Sequence, residues 1–250
     1  MIGKLLKSAF GKKPAEAVDR GDEIEVLAAR LATATPAERA QAIAVLSEID
    51  RASAHHHARV LAVLLDFVRR ERAKGERPRG EPAIDVRAAL GAIGRRAWVD
   101  TETAPLPLTG LDLGQCVLAG ADLRRADLSG SVVSCCNFLG SKLAGAKLTG
   151  AVLDESLMMA LHLEQADLSG ASLRSTNLTD AFLDDACLAN ADLTFTVLVK
   201  ASVRRADLSG ATISGTQLGG ADLSGARGLT RAQLTGAETD NLTELPADLG

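Results

Sequence analysis

The chain has 250 residues, 46% of them hydrophobic but only 2% aromatic, with 23 glycines and no tyrosine, so large rings cannot be filling a broad interior. Its net charge is −4: residues 1–104 hold 18 Lys/Arg against 15 Asp/Glu, and residues 105–237 hold 10 against 13, which is too weak a bias in either part to imply nucleic acid by itself. No apolar run approaches a membrane span and lysines interrupt the early apolar residues, so the sequence reads as a cytoplasmic protein without a cleaved signal peptide.

The first 13 residues, MIGKLLKSAFGKK, place Ile2, Leu5, Leu6, Ala9 and Phe10 at helical spacing, flanked by Lys4, Lys7, Lys12 and Lys13 with no acid. Such a basic amphipathic arm suits an anionic membrane surface, in this case the inner membrane from its cytoplasmic side. The alternative is a plain terminal arm.

Residues 14–104 form a helical region. Apolar residues recur at helical spacing at Ile24, Leu27, Ala28 and Leu31, at Ala42, Val45, Leu46 and Ile49, densely from Val60 to Val68, and at Val86, Ala89, Leu90 and Ile93. Thr35, Pro36 and Glu38 predict a capping box with proline in the first turn. Lys74 to Pro82 predicts a loop, and Trp98 is expected to pack on whatever opens the next domain.

From residue 105 to 227 the periodicity changes. Every fifth residue from Leu113 to Leu223 is apolar: 23 positions, 18 of them Leu, with Val133, Phe138, Met158, Val203 and Ile213 as variants. Five residues turn an α-helix by about 500°, so an apolar stripe of this period would wander around it, and the pattern means a solenoid. A small residue stands two before nearly every central one, Leu111 and Leu161 being exceptions. Gly, Asn or Asp often stands two after it, as at Gly130, Asp180 and Asn190, where a type II turn needs positive φ. The small positions also sort every 20 residues: one column reads Cys116, Cys136, Ser156, Thr176, Thr196, Thr216, another Ala126, Ala146, Ala166, Ala186, Ala206, Ala226. Four pentapeptides therefore make one coil.

ADLSG at 126–130, 166–170, 206–210 and 221–225 resembles the pentapeptide-repeat family. The resemblance implies an all-β right-handed quadrilateral β-helix, here with a small α-helical N-terminal region. The helical segment resembles one that precedes the repeats in some bacterial members. Residues 228–250, with Gly228-Leu229-Thr230 and Thr243-Glu244-Leu245-Pro246, resemble the terminal segment that closes such rods, and a short helix there would cover strand edges.

Candidate chemistry is sparse. His55, His56 and His57 point about 100° apart on a helix with no second ligand one turn on, so they read as solvated residues and no metal or cofactor is expected. The recurring Asp and Ser of the DLSG steps sit at fixed corner positions and read as turn chemistry, so no enzyme is expected. Cys116 and Cys136 should stack one coil apart, near the spacing a disulfide accepts, and in a cytoplasmic setting read as a buried thiol pair with the disulfide as the alternative, while Cys135 faces outward as the more reactive neighbour.

Sorting outward residues by face isolates one apolar face: Val117, Leu139, Leu157, Met159, Val197 and Val199, with only Asp180 and Lys200 charged. Its expected cover is the chain's own helical region, a second copy, or a partner protein. The sequence thus reads as a non-enzymatic interaction or scaffold protein. The rival reading is topoisomerase (gyrase) protection by DNA mimicry, which the resemblance allows but which the mixed charge of the faces disfavours.

Overall fold

The computed structural model describes residues 20–72, 83–95 and 104–249. The arm at 1–13, the segment Lys74–Pro82 and Trp98 lie outside the described residues.

Four helices come first: α1 (Gly21–Thr33), α2 (Pro36–Ala52), α3 (Ala54–Arg72) and α4 (Ile84–Gly94). At the start of α2 the Thr35 and Glu38 side chains each bond the other's main-chain N–H, and Pro36 occupies the first turn, where its missing N–H costs nothing. The helices bury Ile24, Leu31, Ile43, Leu46, Ile49, Phe67, Val68, Leu90 and Ile93 against one another. Buried Asp85 is met by the Arg39 guanidinium at 2.8 Å, and the same guanidinium lies over the Phe67 ring. His57 departs from the expected solvated position: it is buried, its Nδ1 2.7 Å from an Asp50 carboxylate oxygen. The two residues belong to helices that reverse direction around Ser53, so their meeting is tertiary and leaves no helical spacing to read.

From Pro107 to Arg227 the backbone winds as a rod in which each bridging residue pairs in parallel with the one 20 positions on, from Pro107↔Asp127 to Asp207↔Arg227. One step shows the bonding. Leu123 donates its N–H to Lys142 O in the coil above (2.8 Å), Lys142 returns its N–H to Ala121 O (2.9 Å), and Ala126 N–H closes the corner on Leu123 O (3.0 Å). The repeating main-chain bonds of the wall thus run either to the neighbouring coil or within the residue's own turn. The residue before each closing N–H has positive φ, from 51° at Ala160 to 71° at Gly120. Glycine takes this conformation freely, and Asp or Asn with modest cost.

The central residues fill the axis: Leu128, Phe138, Leu168 and Leu188 are fully buried. Each buried leucine contributes about 1.5–3 kcal/mol gross as an upper figure. The small positions flank them, and the polar column among these is satisfied internally. Ser156, Thr176, Thr196 and Thr216 donate their hydroxyls to Val133 O, Leu153 O, Leu173 O and Leu193 O at 2.8, 2.9, 2.6 and 2.7 Å. A buried hydroxyl without such an acceptor would cost more than the methyl that could replace it gains.

Both ends of the rod are closed. At the far end α5 (Arg231–Thr235) is fixed by a Thr230–Gln233 capping box. Beyond it the chain pairs with the last coil, Leu218 and Leu223 donating to Glu238 O and Glu244 O at 2.7 Å each. At the near end the helical region supplies the missing partners of the first coil. Arg69 donates to Pro107 O (2.9 Å), and Arg72 donates to Asp112 O and to Gly114 O (3.2 Å to the latter). The N–H of Asp122 is accepted by Gly94 O, the last residue of α4, at 2.7 Å. Pro107, with no N–H to satisfy, occupies another edge position.

Candidate interaction surface

The outward side chains divide into those that serve the fold and those with no internal task. Most aspartates are the first kind. Asp127, Asp167, Asp207 and Asp222 each accept the main-chain N–H of the serine two residues on, at 2.9–3.0 Å. Ser129, Ser169 and Ser209 hold the carboxyls of Asp127, Asp167 and Asp207 below the ordinary carboxylate range. Asn137 and Asn177 perform the same capping without charge, accepting from Leu139 and Thr179. Recurrent Asp-x-Ser groups are therefore engaged in corner turns. Among the described residues no group of three or more His, Cys, Asp or Glu is placed to hold a metal ion.

Cys116 and Cys136 are buried neighbours in one column, with Cys136 Sγ donating to Leu113 O at 3.1 Å. The bond to Cys116 and then burial push the Cys136 thiol up. Cys135 is exposed, as its outward position requires, but partial burial and then the Glu155 carboxylate push its thiol up as well. Its thiolate is thus scarcer at neutral pH than exposure alone suggests.

The residues of the apolar face are the second kind. Val117, Leu139, Leu157 and Met159 are 58%, 53%, 50% and 37% exposed, while Val197 and Val199 are half-buried. The helical region closes the end of the rod and leaves these four side chains open to solvent. The face is also divided. In the strand column Val117, Asn137, Leu157, Asn177, Val197 and Gln217 alternate apolar with amide, so Leu139, Leu157 and Met159 form one cluster and Val197 with Val199 another, two coils further along.

Two exposed aromatics were not singled out by periodicity. Phe195, 60% exposed, stands at the corner just before Val197 with φ 59°, a conformation unfavourable to a bulky side chain, and its ring lies over Gly215. The available signal was a phenylalanine in a slot otherwise filled mostly by Gly, Asp, Asn or polar residues. Phe182, 41% exposed, stacks on His162 on the next face, with ring centroids 4.8 Å apart. The remaining charged residues largely pair among themselves: Arg204 with Asp184 and Arg205 with Asp185 at 2.7 Å, Arg174 with Asp192 at 2.8 Å.

The family model for pentapeptide repeats matches in eight copies, over residues 108–132, 121–158, 160–194 and 186–225, which is the coiled segment itself. The chain belongs to the pentapeptide-repeat family. Among solved structures it is similar to HetL, a pentapeptide-repeat protein involved in heterocyst differentiation regulation in the cyanobacterium Nostoc. That likeness has 30% identity, covers 57% of this chain and 68% of that one, and gives a TM-score of 0.31. It is similar also to QnrB1, a plasmid-mediated fluoroquinolone resistance protein, at 20% identity over 54% of this chain and 84% of that one, with a TM-score of 0.32. A pentapeptide-repeat protein of the Arabidopsis thaliana thylakoid lumen is 26% identical over 51% and 74% of the two chains, with a TM-score of 0.25. Comparison with curated protein sequences finds no match.

Proposed function

We propose that this pentapeptide-repeat protein is a non-enzymatic interaction scaffold whose rod carries an apolar recognition face for a partner protein or a second copy of itself. One observation carries the reading. Leu139, Leu157 and Met159 lie together in the open on a wall whose coils are already paired with one another and whose two ends are closed by the chain itself. Large apolar side chains have no role inside such a fold when they point outward, and contiguous exposed ones mark a covered surface. A rigid backbone also lowers the ordering cost of binding.

The mixed, internally paired charges give less support to DNA mimicry, since Arg204 and Arg205 neutralise the acidic pair Asp184 and Asp185 on the same face. Its test is a gyrase supercoiling assay with added protein; unchanged activity removes the reading. We place the scaffold in the cytoplasm, held reversibly at an anionic inner-membrane surface by residues 1–13, a proposal that rests on their sequence. Among the described residues no helix is long and apolar enough to cross a membrane.

Leu139→Glu with Leu157→Glu tests the apolar face by light scattering and circular dichroism. A self-associating protein should become monomeric with its coils intact. If the wild type is already monomeric, a partner captured by the wild type from the source cell should be lost in the double variant. Capture unaffected by both substitutions would overturn the proposal.

A further inference from the structure

The apolar face has a symmetry that burial inside the rod does not require. Its strand column reads Val117, Asn137, Leu157, Asn177, Val197 up successive coils, the same in both directions about Leu157. The corner column beside it, from Ala119 through Leu139, Met159 and Thr179 to Val199, carries no charge. The two charges of the face, Asp180 and Lys200, stand one and two coils above the level of Leu157. One and two coils below that level, the same column holds Gly140 and Gly120.

A two-fold axis lying in the face and crossing the rod at Leu157 reverses the order of the coils and sets every column against itself. Leu157 and Met159 then meet their own counterparts, Val117 meets Val197, and Asn137 meets Asn177. Asp180 and Lys200 each fall opposite a glycine, so no like charges on this face are opposed and neither ion is pressed onto an apolar side chain. The amides are complementary as well. Asn137 Oδ1 accepts one bond, from the Leu139 N–H, and keeps a second lone pair, while Asn177 Oδ1 accepts both the N–H and the hydroxyl of Thr179 and its side-chain amide N–H groups are donors.

We propose that the protein pairs with a second copy of itself through this face, the two rods antiparallel and centred on Leu157, an inference that rests on reading the face as a recognition surface. Each Asn177 amide donates to Asn137 Oδ1 of the other copy, between the apolar contacts at Leu157 and at Val117 with Val197. The match requires a partner whose side chains recur at the coil rise. Another rod of this fold repeats every 4.8 Å or so and stays in step over the run from Val117 to Val197, about 19 Å, whereas helix turns about 5.4 Å apart slip by about 2.4 Å over the same run.

The test is sedimentation equilibrium of the full-length protein and three variants, each checked by circular dichroism. The wild type should be dimeric at micromolar concentration. Asn137→Asp keeps its corner cap, as the aspartates do elsewhere in the rod, and sets a carboxylate opposite the Asn177 amide, so the dimer should persist. Asn137→Asp with Asn177→Asp sets carboxylates against each other at two places and should weaken the dimer more than about tenfold with the coils intact. Leu157→Glu, which brings two carboxylates together on the axis, should do the same. A parallel pair would set position 137 against itself, so dissociation by Asn137→Asp alone would overturn the antiparallel pairing, as would a double variant as dimeric as the wild type. A monomeric wild type that captures a partner dependent on Leu139 and Leu157 would overturn the pairing and leave the scaffold reading standing. A monomeric wild type whose capture ignores those residues would overturn both.

Discussion

Gly94 O accepts the N–H of Asp122 at 2.7 Å, and through this bond a helix end and a sheet edge satisfy each other. The last carbonyls of a helix have no partner within it, and an edge strand has N–H groups with nothing beyond them. Placing α4 against the first coil removes both deficits. The approach requires glycine, because a Cβ on residue 94 would stand 2.7 Å from Ala121 Cβ. Gly94→Val should therefore destabilise the protein by about 1–3 kcal/mol, the usual cost of overpacking, and speed hydrogen exchange at Asp122 while Leu168 in mid-rod keeps its protection. Arg72→Met, which leaves the carbonyls of Asp112 and Gly114 without that donor, should give the same local signature.

The hydroxyl column allows a separate measurement of the wall. Thr196→Val keeps the volume but removes the donor to Leu173 O. Denaturant unfolding should show a loss of about 1 kcal/mol, and Thr176→Val, with the same geometry toward Leu153 O, a similar one. A neutral or stabilising outcome at both sites would mean that the hydroxyls are incidental to the stacking.

The capping aspartates impose a pH dependence of definite sign. Hydrogen bonds from Ser129, Ser169 and Ser209 depress the carboxyls of Asp127, Asp167 and Asp207 in the folded state. A depressed folded pKa gives stability that is present above the unfolded carboxylate value and lost as pH falls through the folded one. Thermal unfolding followed from neutral pH into the acid range should thus show a falling Tm below the ordinary carboxylate range. Asp167→Asn with Asp207→Asn should fold, as Asn137 and Asn177 show by capping their corners uncharged, and should flatten that fall.

The lysine-rich arm has its own test. Attraction of about 1 kcal/mol per lysine near an anionic surface, added to partial burial of Leu5, Leu6 and Phe10, is enough for reversible attachment. Full-length protein should co-sediment with anionic vesicles at low salt, less so at high salt or with neutral vesicles, and a chain beginning at Pro14 should stay in the supernatant. Equal partitioning of both chains at every salt concentration would make residues 1–13 a plain arm.

The rod was legible because its determinants are local and repeated: Leu at every fifth position, small residues sorted by 20, and residues tolerant of positive φ at many corners. The Thr35–Glu38 box was legible for the same reason. The closure of the first coil was not, since Arg72 and Gly94 act through main-chain groups far along the sequence and carry no pattern of their own. His57 was misread because its partner Asp50 lies across a chain reversal. Of the apolar face, membership could be read from register, whereas its division by Asn137 and Asn177 and its extension by Phe195 depend on how side chains turn at the corners.

The most direct test of the scaffold reading is a photo-crosslinking side chain placed at Leu139 in the source cell, with a second version at Arg174, outside the apolar face, as control. The expected result is one dominant adduct at position 139, either a second copy of the chain or a single partner protein, with little at 174. Equal, diffuse labelling at the two positions would contradict the account, because it would mean that the open face of Leu139, Leu157 and Met159 is covered by nothing in particular.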